Sequence, residues 1–231
     1  MALIASLKMV LAPPHRAGRP FIAAGAALAL AGLIVALLGR GAWLFWVGLG
    51  FTLFCLYFFR DPERVVPARG NLAVAPADGH VCSIVMAPPP AELMMGPDPV
   101  WRVATFLSVL DVHVNRIPAA GTVTRIAYHE GSFVSANLDK ASDENERNAV
   151  ALLLPDGRAM AVVQIAGLIA RRILCDLREG DIVARGARFG IIRFGSRTDL
   201  YLPPGVVPLV EIGQTMVGGE TVIADLGQVP A

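Results

Sequence analysis

Lysine is nearly absent from this chain. Its 231 residues contain only Lys8 and Lys140, against eighteen arginines, so chemistry that works through a lysine amine has two residues to draw on. An excess of one charge is missing too. The formal net charge is +1, which removes the bulk electrostatic case for nucleic acid. Three cysteines are present, Cys55, Cys82 and Cys175, with no CxxC or metal-ligand spacing. An odd, scattered count excludes a disulfide framework and fits a reducing compartment. No G-x-S-x-G nucleophile elbow occurs.

Apolar residues, by contrast, are abundant, at 55% with a mean hydropathy of +0.57. The excess is local. Residues 21 to 59 carry one charge, Arg40. Phe21 to Leu38 would reach about 27 Å as a helix, close to the thickness of a bilayer's hydrocarbon core. Gly41 to Phe59 is a second run of similar length, and Gly39-Arg40-Gly41 turns between them. The expected arrangement is a transmembrane helical hairpin, with Trp43 and Trp46 at one interface and Tyr57 at the other. Lys8, Arg16 and Arg19 precede it and Arg60, Arg64 and Arg69 follow. The positive-inside rule then places both ends in the cytoplasm, at the inner membrane. A monotopic insertion and a buried hairpin in a soluble oligomer are the alternatives. The domains read as a cytoplasmic segment 1–20, the hairpin 21–59 and a β-rich domain 60–231.

After the polar linker "RDPERVVPARGN" the pattern becomes short strands and turns. "LAVAPADGHVCSIVMA" reads strand, turn, strand. "VWRVATFLSVLDVHVNRIP" reads as one long strand ending in polar residues, and "NAVALLLPDGRAMAVVQIAG" as a hairpin about Pro155-Asp156-Gly157. "RFGSRTDLYLP" reads as a hairpin with Gly195-Ser196 inside it. The fold class expected is mainly β, a β-rich α+β sandwich or barrel, behind the membrane hairpin.

Few residues in this domain can do acid–base or nucleophilic work. On a strand of period two, Asp111, His113 and Asn115 share one face, a polar face on an otherwise apolar run. The ordinary reading is a histidine satisfied by a backbone carbonyl. Asp78, in "APADGHV", is either a routine Asp-Gly turn or the carboxylate that orients a histidine. The run "SDENERN", residues 142 to 148, is a solvated loop by default. Ser196 is either a turn residue or a nucleophile. In the second reading its hydroxyl attacks the Gly195 carbonyl, giving an ester by N→O acyl shift. Gly195 leaves that carbonyl uncrowded, and a histidine base activates the hydroxyl. Elimination from the ester and loss of ammonia leave a pyruvoyl group at residue 196.

"APADGHV", "LDVHVNRIP", "DKASDENERN" and "FGIIRFGSRTDLYLP", in that order along the chain, resemble the short bacterial and archaeal type of phosphatidylserine decarboxylase proenzyme. The resemblance covers nearly all of residues 60 to 210 and extends to the N-terminal apolar block. It implies cleavage between Gly195 and Ser196 into chains 1–195 and 196–231 that stay together as a heterodimer. It implies Asp78, His113 and Ser196 as the catalytic residues. Longer relatives carry two histidines three apart and use the second as the cleavage base; here His113 holds the first position and Arg116 the second. His113 is thus assigned to self-cleavage, decarboxylation or both. The implied cofactor is the covalent pyruvoyl group made from Ser196. The implied substrate is phosphatidylserine in the bilayer, yielding phosphatidylethanolamine and CO2.

The residues agree with that chemistry. Decarboxylating an amino acid needs an electron sink, and pyridoxal phosphate would need a lysine. Only Lys140, in a polar loop, lies beyond the apolar block, whereas a pyruvoyl carbonyl needs none. Arg147, Arg193 and Arg197 are candidate phosphate contacts, because guanidinium forks suit phosphate. "AELMM" (91–95) and "VSANL" (134–138) are a candidate lipid-facing lip, or ordinary loop anchors. Two rivals remain: a membrane-tethered β-barrel carrier without self-cleavage, and a membrane serine hydrolase.

Overall fold

The computed structural model describes residues 12–131, 145–167, 172–193 and 196–227. Lys8, Lys140, the 134–138 stretch, residues 142–144, Phe194 and Gly195 lie outside them. The chain divides into two compact units, Met1–Glu63 and Arg64–Ala231.

The first unit is a pair of helices, α1 (Arg19–Leu37) and α2 (Trp43–Phe58). They meet through glycines. A Cβ on Gly32 would strike the Phe45 backbone, and one on Gly48 would strike Ala29. Small residues on the shared face let the backbones approach, the usual device where both helices are apolar all round. The outward faces stay apolar, with Ile34, Leu37, Trp43, Trp46 and Leu53 exposed. The helix over Arg16–Leu37, 22 residues with its apolar surface turned outward, is long and apolar enough to cross a membrane. The second apolar run is shorter than expected. It is helical for 16 residues, about 24 Å, which falls short of a ~30 Å hydrocarbon core. Gly41, at φ 90°, and Ala42 are spent on the turn and the cap.

The second unit is built from thirteen described strands. Eight form one antiparallel sheet in the spatial order β12 (Thr215–Met216), β2 (Gly79–Ala87), β3 (Val100–Leu107), β11 (Ser196–Tyr201), β7 (Ala159–Ala166), β6 (Arg147–Leu153), β5 (Gly121–His129) and β9 (Ile182–Val183). A three-stranded sheet holds β4 (Val114–Arg116), β10 (Arg188–Ile192) and β8 (Ile173–Cys175), and β1 (Leu72–Val74) pairs with β13 (Val222–Asp225). The large sheet curls into a half-barrel. Its inner face packs Val81, Val103, Val150, Leu152, Val162 and Leu200 against Ile117 and Phe189 of the three-stranded layer and Ala73 and Ile223 of the small sheet. Burying one such Leu or Val side chain contributes about 1.5–3 kcal/mol. Alternate residues Ala149, Ala151, Val163, Ile165 and Tyr201 point to the other face, where Leu93 and Val100 cover them. The central strands are therefore buried on both faces, and all six residues of β11 are buried.

Local turn chemistry carried some expectations through. Leu153 pairs with Ala159 across the Pro155-Asp156-Gly157 turn, where Gly157 takes φ 86°, a conformation glycine adopts without strain. Non-local pairing overturned others. β1 and β2 form as the strand, turn, strand expected of 72–87, but they do not pair with each other, since β1 finds its partner in β13. The long run from Val100 is broken after Leu107. A turn closes there, with Ser108 N–H donating to Asp111 Oδ2 at 2.7 Å and Asp111 N–H to Ser108 O at 3.0 Å. Asp111 thus leaves the strand that holds Asn115. Ser196 is not a hairpin-turn residue: β10 ends at Ile192 in one sheet and β11 begins at Ser196 in the other, while Gly195 lies outside the described residues.

The layers are close at Gly190, where a Cβ would collide with the Leu174 carbonyl oxygen and lie 3.1 Å from Gln164 Nε2. Gly190→Ala is expected to destabilise the fold by about 1–3 kcal/mol through overpacking. A urea titration checks this, and an unchanged midpoint would show that the layers can part freely.

Candidate functional site

Ser196 opens β11, where it faces Leu107 of β3 on one side and Ala166 of β7 on the other. It is completely buried, and among the described residues its Oγ has no hydrogen-bond partner. An unpaired buried hydroxyl is costly, commonly about 1–3 kcal/mol, and such exceptions concentrate where a group is kept for chemistry.

His113 immediately precedes β4. It is 0% exposed, and Ile192 N–H donates to its carbonyl at 3.3 Å, so the histidine lies beside the end of β10 from which the crossover to Ser196 departs. Its Nδ1 is 2.9 Å from the Asp111 carbonyl oxygen. A carbonyl can only accept, so Nδ1 carries the proton, and Nε2 is the basic nitrogen of the neutral ring. The backbone of Asp111 therefore orients the imidazole, a role that the expected shared strand face had given to side chains.

Asp78 lies in the turn before β2. Its Oδ2 accepts from Arg64 Nη2 at 2.7 Å and its Oδ1 from Gly218 N–H at 2.8 Å. Burial pushes this carboxyl above its usual range, and the nearby charge of Asp111 adds to the effect. Arg64 and the Gly218 N–H act against both. His80, two residues on, pairs with Phe106, and Ser196 pairs with Leu107. Asp78 and Ser196 thus share one end of the sheet, two strand spacings or about 10 Å apart. Arg116 N–H donates to Pro76 O at 2.8 Å, which draws β4, with His113 at its start, to the same end.

The arginines divide. Arg197 is buried in a bidentate pair with Asp199, Nε to Oδ1 at 2.6 Å and Nη2 to Oδ2 at 2.9 Å, on the outer face of β11. Arg147 pairs with Glu92 at 3.1 Å, and His129 Nε2 lies 3.3 Å from the same carboxylate. Arg193 is different. Burial, and then the neighbouring Arg172, press against the charge on its guanidinium. Arg172 lines a cleft of about 730 Å³ together with Tyr128, Glu146, Asn148 and Cys175. Tyr128 donates to Glu146 Oε1 at 2.8 Å, and its hydroxyl is pushed up to about 12 by partial burial and by that carboxylate. Of the 91–95 stretch, Leu93 is buried against the outer sheet face while Met94 is exposed.

Sequence reasoning missed Arg64, which sits in a linker and gives no signal. It also missed Asn148, Gln164 and Thr198. A lone amide in "MAVVQIA", at an inward position of an apolar strand, was the one available clue to Gln164.

What the geometry defines is a β-sheet protein with a buried hydroxyl, an oriented imidazole and a carboxylate toward one sheet end, and a cleft lined by Arg172, Glu146 and Asn148. A family profile described as phosphatidylserine decarboxylase matches residues 51–224. The chain is 69% identical over 226 residues to the phosphatidylserine decarboxylase proenzyme of Granulibacter bethesdensis, covering 98% of this chain and 91% of that one. It is 69% identical to the proenzyme of Gluconacetobacter diazotrophicus and 63% identical to that of Gluconobacter oxydans, each covering 98% of this chain and 100% of the relative. The chain belongs to the phosphatidylserine decarboxylase family.

The Arg197–Asp199 pair gives a stability test. Asp199→Asn leaves a buried guanidinium without its counter-charge and is expected to cost about 3–5 kcal/mol. Thermal and urea unfolding check it; a loss below 1 kcal/mol would mean that solvent reaches the pair.

Proposed function

We propose that the chain is a proenzyme that cleaves itself between Gly195 and Ser196 and then decarboxylates phosphatidylserine to phosphatidylethanolamine and CO2. The observation that carries this reading is Ser196: a fully buried hydroxyl with no partner among the described residues, at the start of a central strand. His113 Nε2 takes the Oγ proton. Oγ attacks the carbonyl carbon of residue 195, the C–N bond to residue 196 breaks, and the proton passes to the departing nitrogen. The result is an ester with atoms conserved. β-Elimination, with loss of the Cα proton, frees the carboxylate of chain 1–195 and leaves dehydroalanine at residue 196; its imine tautomer then takes up one water and releases ammonia, which leaves the carbonyl. Asp78, held by Arg64, is the carboxylate that favours the protonated imidazole during attack.

A pyruvoyl group is made from the chain itself, so its surroundings must suit it. Ser196 is walled by paired strands, with the unpaired donors Asn115 Nδ2 and Thr198 Oγ1 in the same buried interior; a small carbonyl group suits that environment. Such a group supplies the electron sink that amino-acid decarboxylation requires. His113 then serves as the acid that returns a proton to Cα.

Among the three candidate arginines, Arg193 is the phosphate contact this reading favours. An anion beside Arg172 and Arg193 would relieve the like-charge repulsion between them. Membrane anchoring through α1, with the second unit on the cytoplasmic side, keeps the site at the headgroup plane. The carrier reading needs a modifiable residue at a hairpin tip. "EGDIVARGARFG" forms no hairpin, because β9 pairs with β5 and β10 with β4 and β8. A serine hydrolase would place its nucleophile at a strand-to-helix elbow, whereas Ser196 begins a strand.

On a denaturing gel with intact mass, the wild type is expected as two chains, the smaller starting at residue 196 without a free amine. Ser196→Ala is expected whole and inactive. His113→Ala should slow cleavage or turnover by about 10²–10⁴-fold, and His129→Ala should do neither. A whole, fully active wild type would end this reading.

Removing Arg64 tests the carboxylate. Arg64→Met deletes an influence that lowers the Asp78 pKa, so that pKa rises further. A carboxylate is lost as pH falls through its pKa, so the acid limb of the self-cleavage profile should move to higher pH. An unmoved limb would separate Asp78 from the chemistry.

A further inference from the structure

Asn115 Nδ2, Thr198 Oγ1 and Ser196 Oγ are buried without a hydrogen-bond partner among the described residues, and each of the three residues is 0% exposed. Native interiors leave few such groups. Here they occur in one interior, and one of them is aimed by a relay.

Asn148 Nδ2 donates to Gln164 Oε1 at 2.9 Å, and Gln164 Nε2 donates to Asn115 Oδ1 at 2.8 Å. All three amides are buried, at 2% exposure or less. Each one fixes the orientation of the next. With its oxygen committed as an acceptor, Asn115 has only N–H donors left to offer. The relay crosses from β6 and β7 in the half-barrel to β4 in the other layer, through the gap that Gly190 keeps open. Gln164 is the Cα partner of Thr198, and Ser196 lies two residues further along β11, on the same face.

We infer that, as the acyl shift proceeds, Asn115 and Thr198 come to donate hydrogen bonds, absent from the resting structure, to the reacting oxygen of residue 196, and that Gln164 and Asn148 are positioning residues that aim the Asn115 amide. The inference rests on the self-processing reading of Ser196. Neutral donors suit this task. An N–H that bonds a lone pair of Oγ leaves the hydroxyl proton for His113, and it places no fixed charge beside a carboxylate that must leave as CO2. After maturation the same donors polarise the carbonyl oxygen at residue 196, where hydrogen bonds strengthen as negative charge develops. The competing account is a buried water that pairs all three groups and takes no part in the chemistry.

Near-isosteric variants separate the two. Asn115→Asp keeps the bond from Gln164 and removes the donors. Thr198→Val removes one hydroxyl at constant shape. Gln164→Met keeps volume and removes the aim. Each is purified as the full chain and followed by the fraction cleaved against time, the thermal midpoint, and kcat and KM on phosphatidylserine vesicles. Cleavage is expected to slow about 10²–10³-fold in Asn115→Asp and about tenfold in Thr198→Val, without loss of thermal midpoint in Thr198→Val. Gln164→Met is expected to lower kcat with KM unchanged. Asn115→Asp and Thr198→Val cleaving at the wild-type rate would overturn the inference and leave the water account. If Asn115→Asp does not fold, Thr198→Val decides: slowed cleavage supports the inference and wild-type cleavage overturns it. A wild type that stays whole overturns the processing reading and this inference with it, whereas a wild type that cleaves beside unimpaired variants overturns this inference alone.

Discussion

The site depends on the pairing of one short strand. β11 is hydrogen-bonded to β3 along one edge and β7 along the other, residue for residue from Ser196 to Tyr201. That double ladder leaves no freedom at the strand's first residue, so Ser196 is held against Leu107 and Ala166 while the chain before it belongs to another sheet. A peptide bond at such a junction has one side fixed in a rigid ladder. In the proposed acyl shift that rigidity would help, because it restricts the attacking oxygen before reaction begins.

The two faces of β11 do different work. On the outer face, Arg197 and Asp199 neutralise each other, and Arg102 Nε approaches Asp199 at 3.8 Å. Buried ion pairs of this kind add little net stability, but breaking one is expensive, so they enforce register. A slip by one residue would move this pair into the inner core and turn Ser196 outward. On the inner face, Thr198 lies beside Gln164, whose amide links Asn148 to Asn115, and only beyond them does the apolar core of Leu200, Val162 and Val150 begin. The half-barrel therefore has a dry, apolar end and a polar end. Ser196 stands at the polar end, and His113, oriented by the Asp111 carbonyl, lies beside the end of β10.

Legibility followed distance along the chain. The β6–β7 hairpin could be read because Pro155-Asp156-Gly157 and its flanking alternation are contiguous. Asp78, His113 and Ser196 could be singled out as residue types, and the order of four motifs carried the family. The surroundings could not be read. Arg64 meets Asp78 from an irregular linker, and Gln164 meets Asn115 across 49 residues of sequence; neither contact leaves a periodic trace. The passage from β10 to β11 looked like a hairpin for the same reason. Both flanking segments are good strands, and nothing local says that they belong to different sheets. The second apolar helix came out short because its turn and cap consume residues that hydropathy counts as membrane.

The central claim is that a carbonyl formed from Ser196 is the electron sink. Reducing the purified protein with borohydride, then weighing the chain that begins at residue 196 and assaying turnover, tests it most directly. The account predicts a separate 196–231 chain that gains two hydrogens as activity is lost. An intact 231-residue chain of unchanged mass that still decarboxylates phosphatidylserine at full rate would contradict it.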